Sequence, residues 1–194
     1  NTLLKRWKLF KATFKKKNPK SGAILEWFET LVGAFIIAMI LRQFIVQSSL
    51  VFSGSMIPTL RSATQSTHGD RLIVNKLIYH FNDPHRGDIV LFHSPYKDKK
   101  QYVKRLIGLP NETVEIKRGM VYVNEKLLVI PGVTIRRDFS NLKKITVPKN
   151  QYFMLGDNRA NSADSRVWGF VPKSDLIGEA LFIYWPLNRI RWVR

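Results

Sequence analysis

The sequence predicts a mostly β protein: a single N-terminal transmembrane helix followed by a compact, largely antiparallel β domain. Three observations lead there. One long apolar segment, residues 23–46, stands near the start of the 194-residue chain. The 22 residues before it carry eight Lys and Arg and no acid. Everything after it is made of short runs rich in Val, Ile, Leu, Phe and Tyr, separated by turn residues and without helical periodicity. The chain therefore divides into a basic leader (1–22), a spanning helix (23–46) and a β domain (47–194), the last of ordinary single-domain size.

The leader mixes its cations with Leu3, Leu4, Trp7, Leu9, Phe10 and Phe14, a pattern suited to lying on an anionic membrane face. Asn18-Pro19-Lys20-Ser21-Gly22 is expected to break it. Ala23–Val46 then provides 24 residues, enough at ~1.5 Å per residue to cross a ~30 Å hydrocarbon core. Glu26 and Glu29 lie at one end and Arg42 at the other, where long side chains reach the interface. Trp27 and Phe28 stand where an aromatic belt belongs. A cleaved secretory signal and a buried core helix are the competing readings; Arg42 and the long leader count against the first. The cations ahead of the span place the N-terminus in the cytoplasm and the β domain outside it. A single-pass inner or plasma membrane protein is the expectation.

Strands are expected at 70–79, 88–93, 102–109, 113–117, 120–123, 127–130, 144–147, 152–155, 176–184 and 190–193. Turn residues such as Arg86-Gly87-Asp88 and Pro148-Lys149-Asn150 punctuate them. The chain has no cysteine, which excludes disulfides and thiolate metal sites, and no metal or cofactor is expected. A net charge of +18 suits anionic lipid or nucleic acid. The 23 Lys and Arg after residue 46 are scattered and lack the interleaved aromatics that stack bases, so nucleic acid is not an expected partner.

The chemistry centres on Ser53-Gly54-Ser55-Met56-Ile57-Pro58-Thr59-Leu60. Gly54 allows a sharp turn that presents Ser55, and Pro58 keeps a helix from running through. A plain turn between strands explains the same residues. As a nucleophile, Ser55 needs a base within hydrogen-bond reach. The four histidines, His68, His80, His85 and His93, stand in no recognisable motif with a carboxylate. Lys104, in Tyr102-Val103-Lys104-Arg105-Leu106-Ile107-Gly108, is the better candidate. On a strand it points opposite to Val103 and Arg105, and apolar surroundings would favour its neutral form. A solvated lysine on an edge strand is the alternative. The third stretch, Gly156-Asp157-Asn158-Arg159-Ala160-Asn161-Ser162-Ala163-Asp164-Ser165-Arg166-Val167-Trp168-Gly169, is too unusual for a generic loop. There Asp164 and Arg166 can pair, and a serine hydroxyl can orient the lysine amine.

Taken together, these three stretches resemble the bacterial type I signal peptidases (leader peptidases), membrane-anchored serine proteases with a Ser–Lys dyad. Gly87-Asp88-Ile89-Val90 and the basic leader with one spanning helix fit the same family, in the family's order. The resemblance implies a signal peptidase-like β fold and an endopeptidase. Its partners would be the signal peptides of exported preproteins, cut after a small-X-small motif, and anionic membrane lipid. It makes Ser55 the nucleophile and Lys104 the general base. Ser53 and the Ser55 N–H would hold the oxyanion, Ser162 would orient the lysine, and Asp164 with Arg166 would form a structural pair. Val51, Phe52, Met56, Tyr102 and Val103 match positions that wall the pockets for small substrate side chains.

Some residues depart from the family pattern. Asn111-Glu112 replaces the usual Gly-Asp, Ala160 replaces a polar residue, and the stretch from Arg61 to His68 is long. The span between Lys104 and Gly156 leaves no room for a large extra β region. The rivals are another Ser–Lys protease of the same fold, such as a self-cleaving repressor, and a membrane-tethered basic binding module without enzymatic activity.

Overall fold

The computed structural model describes residues 5–7, 9, 13, 19–64, 68–96, 98 and 100–193. The chain forms two units, Asn1–Phe44 and Ile45–Arg194. Most of the leader expected to lie on the membrane is outside the described residues; those of it that are described, Lys5 to Trp7, Leu9 and Thr13, are helical.

The first unit is dominated by helix α1 (Pro19–Phe44). Its residues Ala23–Phe44 are long and apolar enough to cross a membrane. Trp27, Phe28, Leu31, Phe35, Ile37 and Ile40 all stand exposed, so the helix is apolar all round rather than on one stripe, as a lipid-facing helix is. Trp7 Nε1 donates to Glu29 Oε1 at 2.6 Å within this unit. The helix starts four residues before the expected segment and ends two before its close. Pro19, in the stretch expected to break the leader's pattern, opens the helix, a place where its missing N–H leaves no orphan and its fixed φ is already helical. Val46 and Gln47 leave the helix because they pair with Asn75 and Val74 in a sheet.

The second unit is built of β1 (Val46–Leu50), β2 (Arg71–Asn75), α2 (Ile78–Phe81), β3 (Ile89–His93) and β4 (Gln101–Gly108). It continues through β5 (Thr113–Lys117), β6 (Met120–Val123), β7 (Lys126–Leu127), β8 (Leu142–Thr146) and β9 (Gln151–Leu155). Helix α3 (Ser165–Trp168), β10 (Val171–Pro172), β11 (Leu176–Trp185) and β12 (Arg191–Trp192) complete it. The larger sheet has the order β1-β2-β11-β3-β4-β9-β10 with β12 on β11; the smaller has the order β7-β6-β5-β8. The paired strands are antiparallel throughout, as the run of short strands implied.

Three expected strands are cut short, the run over 190–193 to Arg191–Trp192. The run expected over 70–79 ends at Asn75, whose Oδ1 accepts from Leu77 N at 3.0 Å and turns the chain into α2. The run expected over 127–130 loses its ladder after one more bond, from Leu128 N to Val121 O, and turns away at Pro131-Gly132, where the glycine has φ +73°. β1 and β10 were not expected at all; β10 is a two-residue edge strand ending in Pro172, which cannot extend a ladder.

Alternation along the strands sets the core. On β3, Ile89 and Leu91 join one buried cluster with Val51, Met56, Leu60 and Leu72, while Val90 and Phe92 join another with Leu106, Tyr152 and Met154. Ile107, Phe153 and Leu155 pack with Val114, Ile116, Val121 and Val123 of the smaller sheet. β4 therefore runs between buried layers, and any polar residue in its second half must find a partner inside the protein.

Candidate active site

Beyond β1 the chain continues through Val51 and Phe52 to a 3₁₀ turn, Gly54–Met56, with Ser53 extended at φ −99°, ψ 153°. Gly54 is buried in this turn and has no positive φ, so the turn does not use the backbone freedom expected of it. From one side Val51 N donates to Asp70 O, Ala63 N to Val51 O, and Ser62 Oγ to Phe52 O. Asp70 is fully buried, and Arg189 holds both of its carboxylate oxygens at 2.8 Å. From the other side Asn158 N donates to Ser55 O at 2.9 Å and Asn158 Nδ2 to Gly54 O at 3.0 Å.

β4 brings the candidate base to the serine turn. Lys104 Nζ stands 2.5 Å from Ser55 Oγ, and Ser53 Oγ stands 3.1 Å from the same atom. Lys104 is 4% exposed and Ser55 5%, so the solvated alternative for the lysine does not apply. Burial pulls the lysine down to about 8 from its ordinary 10.5; Asp164 and Asp157 oppose the shift and Arg166 adds to it. Period-two alternation puts Arg105 on the opposite face, where it is wholly buried and clasps Asp157 with Nε and Nη2 at 2.8 and 2.7 Å. Its Nη1 donates to Gly87 O, and Asp157 Oδ2 accepts from Thr59 Oγ1 at 2.5 Å. One buried ion pair thus ties together β4, the serine turn, the Gly87 turn and the loop after β9.

That loop is held by Asp164 and Arg166, which do pair, through Nε at 2.8 Å and Nη2 at 2.9 Å. Asp164 also caps α3 and accepts from Gly156 N at 3.1 Å. Arg166 reaches further, to Asp138 Oδ2 at 2.6 Å and to Arg159 O at 2.8 Å. Gly156 permits a close approach that no other residue allows: a Cβ there would meet Ser162 Oγ at 2.3 Å and Ser55 O at 2.5 Å. Ser162 is brought beside the serine turn in this way, but its buried Oγ makes no hydrogen bond, to Lys104 or to any other described residue.

A cleft of about 420 Å³ opens from Ser55 between Ser49–Ser53 and Lys100–Lys104. Val51, Phe52, Met56, Tyr102 and Val103 all line it. Gln101–Lys104 pair with β3 on one side, whereas β9 joins the other side of β4 only from Arg105 onward. The cleft-side edge of those four residues carries no strand among the described residues, so an extended peptide can add there. None of the four histidines lines the cleft: His68 packs edge-on against Trp185, and His80 Nδ1 lies 3.2 Å from Lys76 O. Among the described residues no group of three or more His, Asp or Glu could hold a metal ion.

Sequence reasoning missed Asn158, Asp138, Thr59 and the Arg105–Asp157 pair as parts of this site. Asp157 and Asn158 lay in a stretch already singled out, so their polarity beside Gly156 was the available signal. Asp138 lies 28 residues from its partner Arg166 in a loop without a motif.

A family model described as "Signal peptidase, peptidase S26" matches residues 24–185. A probable signal peptidase I-1 from Synechocystis is 40% identical over 173 residues, covering 86% of this chain and 85% of its own. Signal peptidase I T from Bacillus subtilis is 37% identical over 192 residues, covering 92% and 94%. The crystal structure of a signal peptidase I from Enterococcus faecalis is 38% identical, with a TM-score of 0.42, covering 50% of this chain and 97% of that one.

Proposed function

The chain belongs to the signal peptidase family, peptidase S26, and from that premise we propose that Ser55 and Lys104 cut the signal peptides of preproteins in this member. As a member of the family it is a peptidase acting on those substrates. The observation that carries the residue assignment is the buried approach of Lys104 Nζ to Ser55 Oγ at 2.5 Å.

The substrate lies extended along the open edge of Gln101–Lys104 and residues 51–53, with small side chains one and three residues before the cut turned into the cleft. Ser55 Oγ attacks the scissile carbonyl carbon and passes its proton to Lys104 Nζ. A lysine held at about 8 is neutral in about a tenth of the molecules at pH 7, enough to serve as a base. The Ser55 N–H and Ser53 O–H donate to the resulting oxyanion. The C–N bond then breaks, and the Lys104 ammonium returns its proton to the leaving amine, the new N-terminus of the mature protein. Water attacks the ester that remains, loses a proton to Lys104, and the ester bond breaks. Ser55 regains its proton, and the signal peptide leaves as a carboxylate. Ser162 Oγ, buried beside Gly156 and without a hydrogen-bond partner among the described residues, is assigned to orienting the amine. Asp164 and Arg166 keep that loop in place.

Ala23–Phe44 anchors the enzyme in the inner or plasma membrane as a single span. The cations before it hold the leader to anionic lipid on the cytoplasmic side, with Ile45–Arg194 outside. The test is cleavage of a preprotein whose signal ends in Ala-X-Ala by the full chain in detergent, beside Ser55→Ala and a variant with all four histidines changed to Gln. Cleavage by the wild type and the histidine variant, and none by Ser55→Ala, is the expected result. An active Ser55→Ala, or a folded histidine variant that is dead, overturns the assignment.

A further inference from the structure

We propose that Asn158 is the positioning residue of the oxyanion hole, aiming the Ser55 N–H through its hydrogen bond to the Gly54 carbonyl. The inference rests on the Ser55–Lys104 reading above and adds a residue to it.

The Gly54 carbonyl and the Ser55 N–H belong to one peptide group. That group is planar and trans, since the cis bonds are Ile57-Pro58 and Trp185-Pro186. Its C=O and N–H point in opposite directions, so fixing the oxygen fixes the donor. Asn158 Nδ2 donates to Gly54 O at 3.0 Å. The other donor to that oxygen, Ile57 N, is more distant at 3.3 Å. Asn158 also holds the next carbonyl, Ser55 O, with its backbone N–H at 2.9 Å, so both carbonyls flanking the nucleophile are gripped by one residue. The amide orientation follows from chemistry, because a carbonyl oxygen can only accept and Nδ2 must face it.

Three further observations fit this role. Asn158 is 2% exposed, and its Oδ1 has no hydrogen-bond partner among the described residues, so the bond to Gly54 O is its side chain's described work. The Ser55 N–H donates to no acceptor among the described residues and stays available for an oxyanion. Asn158 itself is anchored: it bridges to Arg136, whose N–H donates to Asp157 O and whose C=O accepts from Arg159 N, both at 2.8 Å. A donor on the carbonyl side of a peptide also polarises it, making the N–H opposite a stronger donor.

Removing an oxyanion donor outright costs about 10²–10³ in kcat. Removing the residue that aims one, with the donor still present, should cost about 10–100-fold. We would assay Asn158→Ala and Asn158→Leu, the latter close to Asn in shape, as full chains in detergent beside wild type and Ser55→Ala. Three readouts are taken: kcat and KM on the preprotein, the inhibition constant of a peptide aldehyde that forms a tetrahedral adduct with serine, and the pH midpoint of kcat/KM. The expected result is a 10–100-fold fall in kcat, KM within about twofold, aldehyde affinity weakened by the same factor as kcat, and an unchanged pH midpoint. A loss confined to KM, a shifted pH midpoint, or kcat within threefold of wild type overturns the proposal. Loss of the fold in both variants also overturns it, by making the side chain structural. Full activity in the Asn158 variants beside a dead Ser55→Ala removes the inference alone, whereas an active Ser55→Ala removes the reading beneath it.

Discussion

Replacing Lys104 by Met should abolish cleavage and, at neutral pH, make the protein more stable. Lys104 is 4% exposed, and burial lowers it to about 8 from 10.5. That displacement is a charging penalty of about 3 kcal/mol. The sign follows from proton affinity. The folded protein binds the lysine proton less tightly than the unfolded chain, so the penalty is complete below about pH 8 and fades as pH approaches 10.5. Met has nearly the length of Lys and no charge, so Lys104→Met escapes the penalty and keeps most of the packing. Its unfolding free energy should exceed that of the wild type by about 3 kcal/mol at pH 7, and the gap should close by about pH 10.5. The assay is urea unfolding of both full chains in the same detergent at pH 7, 9 and 10.5, followed by tryptophan fluorescence. Over the same range the wild type's kcat/KM should rise with a midpoint near 8. A wild type as stable as Lys104→Met at pH 7, or a gap that widens with pH, would refute the account of a lysine kept strained by burial for use as a base.

Two other perturbations follow from the same geometry. If the Ser53 hydroxyl, 3.1 Å from Ser55 Oγ, donates to the oxyanion as proposed, Ser53→Ala should lower kcat by roughly 10–10³-fold with little change in KM; steady-state kinetics on a preprotein checks it, and a change in KM alone would make Ser53 a substrate contact. Asp157→Ala should destabilise the second unit by about 3–5 kcal/mol, since it strands the wholly buried Arg105 guanidinium without its partner. Urea unfolding measures that loss, and a cost below about 1 kcal/mol would mean that the pair contributes little to the fold.

Local chemistry made much of this protein legible from sequence. A span of apolar residues long enough for a bilayer, flanked by cations, is a property of consecutive residues, and α1 (Pro19–Phe44) holds most of it. Period-two alternation and turn residues located β5 and β6 to the residue and β3, β4, β9 and β11 to within one. Ser55 and Lys104 stood out as candidates because a serine nucleophile needs a base and few stretches of this chain supply one, whereas the part of Ser53 came only from the resemblance of three stretches to a known family.

What tertiary structure decided were the pairings between distant residues, which no local rule contains. Val46 has the apolarity to end a spanning helix, but pairing with Asn75 makes it the start of β1. Asn75 in turn ends β2 by accepting from Leu77 N. A lysine in a strand is ordinarily solvated; Lys104 is instead buried by the fold against a serine 49 residues away. Arg105, its neighbour, is neutralised by Asp157, 52 residues on, and Asn158 reaches Gly54 across 104. Burial and hydrogen-bond partnership depend on which backbone segments are packed together, and only the closed sheets bring these groups within bonding distance.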